Sequence, residues 1–137
     1  MKLLLDTNVI LDVLLDRKPF VADCARVVAA VETGRIEGSL CATTITTLHY
    51  LASKTLGAKA AVREISALLQ IFRVAPVTEA VLKAALQSTG RDYEDLVLWE
   101  SARGIGADGI VTRNPSDFPR SGVPIYLPAD IVAMWDS

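Results

Sequence analysis

A chain of 137 residues, 51% of them hydrophobic, can build one complete core, and none of its apolar runs approaches the roughly 18 residues a membrane-spanning helix needs. Its net charge of −2 argues against a protein that coats nucleic acid by bulk electrostatics, while leaving local contact with nucleic acid open. Asp6 cuts the run Met1-Lys2-Leu3-Leu4-Leu5 too early for a signal-peptide core, and Cys24 and Cys41 form neither a redox pair nor a zinc set, so the expectation is a cytoplasmic protein with reduced core thiols.

In chain order, residues 3–5 are a predicted buried strand and residues 8–16 a short helix. Pro19 fits the first turn of a helix running to about Glu32, with Gly34 closing it. A strand over 40–42 precedes a helix over about 44–54, and apolar Ala61, Ile65, Leu68 and Leu69 mark another over about 59–71. Residues 72–75 form a short strand. Thr78 caps a helix through Gln87, and Asp92 caps the next, which ends near Gly104 and Gly106. Strands over 109–112 and 124–127 and a helix over 129–135 complete the chain. Strands alternating with helices predict an α/β fold, a three-layer sandwich around a mainly parallel sheet, in one domain over residues 1–137. The string Gly104-Ile105-Gly106-Ala107-Asp108-Gly109 spells a dinucleotide fingerprint, but it closes a helix and enters a strand, the reverse of what that motif requires.

Several acids stand where apolar surroundings make them costly. Asp6 ends the first strand and reads equally as an N-cap or as part of a site. Asn8, Asp12 and Asp16 share the spacing of one helical face, for which solvent is the plainer account of both acids. Asp92 and Asp95 resemble a capping box, yet Asp95 falls on a stripe with Leu98, Trp99, Ala102 and Ile105, which favours chemistry there. Glu94 and Asp92 are balanced between capping and chemistry. After the 109–112 strand, Asn114-Pro115 suits a helix start, and Asp117 suits either a helix end or a ligand role. In an α/β sheet such positions converge outside the carboxyl ends of the strands, and crowded carboxylates there suit Mg²⁺ or Mn²⁺. Arg17, Lys18, Arg91, Arg113 and Arg120 lie near the expected rim, each also readable as an ordinary solvated charge. The single histidine, His49, has no nucleophile pattern around it.

Taken together, Leu5-Asp6-Thr7-Asn8-Val9, Asp92-Tyr93-Glu94-Asp95 and Val111-Thr112-Arg113-Asn114-Pro115-Ser116-Asp117-Phe118 resemble the PIN-domain family in order and spacing, over nearly the whole chain. The resemblance implies a small α/β/α domain acting as an Mg²⁺- or Mn²⁺-dependent ribonuclease, the toxin of a toxin–antitoxin pair, with RNA as substrate, a small antitoxin as partner and a homodimeric state. It implies metal ligation by Asp6, Asp95 and Asp117; beside them Glu94 is read as a fourth catalytic acid, a further ligand or water orienter. Asn8, Thr112 and Asn114 match the family's accessory polar positions, and Arg113 joins them as a substrate contact. One departure stands out: many members carry a glutamate on the helix after the second strand, whereas Thr44-Ile45-Thr46-Thr47-Leu48-His49-Tyr50 has no acid. Glu94, Asp92 or Asp12 is then left to supply that charge, and the number of metals stays open. The rival readings are a catalytically weak binding module for RNA or protein, and a phosphatase, whose Asp-x-Asp pattern is broken by Asn8.

Overall fold

The computed structural model describes residues 1–88 and 90–136, leaving Thr89 and Ser137 outside the description. Among the described residues the order is β1 (Lys2–Leu5), α1 (Thr7–Leu14), α2 (Val21–Glu32), β2 (Glu37–Cys41), α3 (Ala42–Leu56), α4 (Ala58–Ile71), β3 (Arg73–Ala75), α5 (Glu79–Leu86), α6 (Tyr93–Gly104), β4 (Gly109–Val111), β5 (Ile125–Tyr126) and α7 (Pro128–Asp136). A 3-10 turn, Pro115–Asp117, follows β4. The five strands are all parallel, in the order β3-β2-β1-β4-β5. No described helix is long and apolar enough to cross a membrane.

The run Leu3-Leu4-Leu5 has no polar alternation because β1 is central and covered on both faces. Successive strand residues point to opposite sides. Leu3, Leu5, Leu40 and Val111 join a core with apolar residues of α1, α2, α3, α4 and α7. Leu4, Cys41, Ala75 and Ile110 join a second core built mainly from α6, with Ala85 of α5 and Phe118. The fold is therefore the three-layer α/β/α sandwich that alternation of elements predicts.

Caps behave as expected at two helices: Thr78 Oγ1 accepts from Val81 N–H, and Asp92 Oδ1 accepts from the N–H groups of Glu94 and Asp95. Several boundaries differ by a residue or two, and three differences have a clear physical reason. The chain enters α2 at Val21, because residues 17–20 instead form a turn closed by a Val21 N–H to Arg17 carbonyl bond. β2 begins at Glu37, ahead of the expected 40, through a Gly-Ser pair of poor strand propensity. A side chain at Gly38 would meet Val31 and Phe72 carbons at 2.7 and 2.9 Å, so close packing selects glycine there. Asp16 does not continue α1; it adopts φ +50 beyond the helix, which removes it from the face shared by Asn8 and Asp12. The Gly104–Gly109 segment ends α6 and turns through Gly106 at φ +66, and Asp108 accepts from Lys2 N–H.

Candidate active site

Strand order reverses at β1, with β2 and β3 on one side and β4 and β5 on the other, which opens a crevice beyond the carboxyl ends of β1 and β4. β1 and β4 run side by side, with Leu5 opposite Val111, so Asp6 and Thr112 leave the sheet together. α6 leads back into β4 and so begins at this same edge, bringing Glu94 and Asp95 in its first turn. The 3-10 turn after β4 adds Asp117. A cavity of about 290 Å³ results, with Asp6, Asn8, Glu94, Asp95, Asn114 and Asp117 on its wall and Leu11 and Leu98 as apolar backing.

Asp6 is only 7% exposed and caps α1. Its Oδ1 accepts from Thr7 N–H and its Oδ2 from the Thr112 hydroxyl, both at 2.7 Å. Thr112 is fully buried, and its Oγ1 accepts in turn from Asn114 N–H at 3.1 Å. Burial raises the Asp6 pKa, against these hydrogen bonds, and nearby Asp117 raises it further while Arg113 opposes. Asp95 is pushed up to about 7, first by burial and then by the charges of Asp6, Asp92, Asp117 and Glu94. Its neighbours Leu98, Trp99 and Ala102 are all buried, as the stripe predicts.

No lysine or arginine forms an ion pair with Asp6, Glu94, Asp95 or Asp117 among the described residues. Arg91 lines an adjoining cavity that shares Asp95 and Asp117, and its Nη1 donates to the Ser116 carbonyl at 2.8 Å. Carboxylates and amide oxygens are hard donors, the chemistry that suits Mg²⁺ or Mn²⁺ over softer ions. Among the described residues no three acid, histidine or cysteine side chains are already closed into a ligand set, and mutual repulsion of the acids opposes such closure. The residues present fit a hard divalent cation, which would neutralise that repulsion.

The structure brings Asp6, Asn8, Glu94, Asp95, Asn114 and Asp117 to one wall. Thr112 stands just behind it, bonded to Asp6. Arg113 does not face this cavity: it lines another with Phe20 and Pro128, and its Nε stands 2.6 Å from Asp12 Oδ2. Asp12, read from sequence as solvated, is fully buried and is absent from the acidic wall. Asp92 is exposed and occupied as a cap. The α3 segment contributes Thr47 to the wall, and Thr44 meets Thr7 hydroxyl to hydroxyl at 2.9 Å, so the acid missing there has no substitute from α3. Sequence reasoning overlooked both threonines and the Asp12–Arg113 pair. Asp12 between Leu11 and Val13, in a helix apolar on nearly every side, was the available signal.

A family model described as PIN domain matches residues 2–116. No curated protein matches the chain. Among solved structures, a toxin–antitoxin complex from Klebsiella pneumoniae is similar at TM-score 0.69 and 18% identity, covering 91% of this chain and 96% of that one. A DNA-bound VapBC from Salmonella typhimurium is similar at TM-score 0.69 and 19% identity, over 93% and 98%. VapC20 of Mycobacterium tuberculosis, described as a sarcin-ricin loop cleaving toxin, is similar at 0.64 and 15%, over 79% and 86%.

Proposed function

The chain belongs to the PIN-domain family, and on that premise we propose that residues 1–137 form a single domain acting as a divalent-metal-dependent endoribonuclease, the toxin of a toxin–antitoxin pair. The observation that carries the reading is the acid cluster on one cavity wall with no ion-paired cation among the described residues, where burial first and then four neighbouring carboxylates push Asp95 up to about 7. Asp6, Asp95 and Asp117 would hold Mg²⁺ or Mn²⁺, with Glu94 as a further ligand or as the group that orients water. The bound cation supplies a lowered water pKa and stabilises negative charge growing on the phosphate.

The protein's own residues do the rest. The Thr112 hydroxyl holds Asp6 Oδ2 in place, and Thr7 N–H holds Oδ1, so this carboxylate is oriented before any ligand arrives. Asn8 and Asn114 present amide groups to the same cavity and are placed to contact a phosphodiester. Arg91, which lines a cavity with Asp95 and Asp117, offers a cation for the flanking backbone phosphate. A net charge of −2 is consistent with such local capture. RNA as the substrate class is supported by the relative described as cleaving the sarcin-ricin loop, and an antitoxin partner by those described as toxin–antitoxin complexes. A cytoplasmic homodimer completes the proposal.

The acid-free α3 segment favours one second reading, a PIN-like module that binds RNA or protein with little turnover. Cleavage of a mixed panel of structured and unstructured RNAs, in Mn²⁺, Mg²⁺ or EDTA, separates the two. The expected result is metal-dependent cutting that falls at least 100-fold in Asp95→Asn, a loss in the range typical of a transition-state charge stabiliser. Equal cutting by that variant would overturn the assignment. RNA binding with no cutting in any metal would establish the module.

A further inference from the structure

Asp12 and Arg113 lie behind the acidic cavity and nothing in the proposed chemistry uses them directly. Asp12 is 0% exposed and Arg113 23% exposed, with Nε 2.6 Å from Oδ2. The contact is an ion pair oblique to the N–H, so Nε and Asp12 Oδ1 both lack a hydrogen-bond partner among the described residues. Phe20 stacks on the guanidinium, whose carbon stands 4.1 Å from the ring centroid. A buried carboxylate needs hydrogen bonds, a metal or a counter-charge, and for Asp12 that counter-charge is Arg113, which is thereby held beside α1.

That constraint reaches the site through the backbone. Arg113 lies between Thr112, whose hydroxyl donates to Asp6, and Asn114, whose N–H donates to Thr112 Oγ1. Arg113 N–H faces Asn8 Oδ1 at 3.5 Å. Asn8 and Asp12 are one turn apart on α1, so helix and post-β4 loop are tied at two successive rungs. We infer that the Asp12–Arg113 pair, stacked on by Phe20, is a positioning device that holds Asp6, the N-cap of α1, and the loop acid Asp117 in register for a divalent cation. Arg113 is then a positioning residue, replacing its expected role as a substrate contact. The inference rests on the metal-dependent reading of the cavity.

The test is the double variant Asp12→Leu with Arg113→Met. Removing one partner strands a buried charge, whereas replacing both by apolar groups of similar size restores stability. Two readouts follow: Mn²⁺ affinity by water-proton relaxation, and hydrogen exchange of the Arg113 and Asn114 amides without metal. The expected result is a folded protein whose Mn²⁺ binding is 10- to 100-fold weaker, the loss typical when support behind a ligand is removed, with at least tenfold faster exchange. A folded double variant with wild-type affinity and exchange would overturn the inference. Should the wild type bind no Mn²⁺, the metal reading fails, and exchange alone decides the clamp: faster supports it and unchanged overturns it. Should the double variant fail to fold, Arg113→Lys takes its place, keeping the charge but losing the planar stack. Smaller losses in the same direction support the device there, and wild-type values overturn it.

Discussion

Asp12 on α1 and Asp95 on α6 are both acids among apolar neighbours, and the fold treats them in opposite ways. Asp12 is the more deeply buried, yet it has a guanidinium against it and an aromatic ring behind that cation. Asp95 keeps partial contact with solvent, yet it faces Asp6, Asp92, Asp117 and Glu94 with no cation paired to it among the described residues. Depth of burial therefore does not single out the candidate site. What singles it out is a missing counter-charge, which leaves a standing demand for a ligand.

The comparison breaks first at Asp12. Asp12→Ala leaves the partly buried Arg113 charge unpaired and is expected to cost about 2–4 kcal/mol in denaturant unfolding, below the full penalty of a severed buried pair because Arg113 keeps some contact with solvent; a loss under about 1 kcal/mol would show that the pair compensates little. Next comes the ligand demand at Asp95. Mn²⁺ at a hundred times its Kd should stabilise the wild type by about 2.7 kcal/mol, read as a rise in Tm, with a much smaller rise in Asp95→Asn. The pH dependence of the metal-free protein sharpens the contrast further. A carboxyl raised from 3.8 to about 7 binds its proton more tightly in the folded state, so stability falls as pH rises from about 4 to about 7. The shift alone implies about 4 kcal/mol, which solvent screening at this partly exposed group reduces to on the order of 1–2 kcal/mol. Asp95→Asn should recover that amount at pH 8 and gain little near pH 4, as paired urea titrations would show. The smallest effect lies at Cys24, whose thiol donates toward Asp12 Oδ2 at 3.7 Å and is pushed up to about 12 by burial, then by the Asp12 charge. Native protein at pH 8 should resist thiol labelling there. Asp12→Asn should speed labelling only modestly, since burial is the larger cause.

Much of this arrangement was legible in the sequence because it is local. Leu3-Leu4-Leu5 announces a strand covered on both faces, Asp92 and Thr78 announce caps, and Asp95 betrays itself by standing on a stripe of buried side chains. Convergence of Asp6, Asp95 and Asp117 followed from placing each at a carboxyl edge of the sheet or at a helix start. The Asp12–Arg113 pair is not legible in the sequence because each partner is explained by the other, and periodicity within a helix cannot reveal a partner far along the chain. β2 was shortened for a similar reason: Gly38 is demanded by Val31 and Phe72 packing over it, which strand propensity does not register. Thr47 was overlooked because a hydroxyl on a helix carries no sequence mark of the cavity it faces.

The position of β1 has a consequence for the order in which the protein comes into being. β1 precedes every other strand in the chain yet lies at the centre of the sheet, and its β4 neighbour is synthesised long after it. At roughly 5–20 residues per second, β1, β2 and β3 with their helices can begin to pack on the ribosome before Val111 emerges to meet Leu5. Until it does, Asp6 lacks Thr112, and Asp117 in the turn after β4 has not joined it. Biosynthesis thus builds the scaffold first and completes the acidic cavity last.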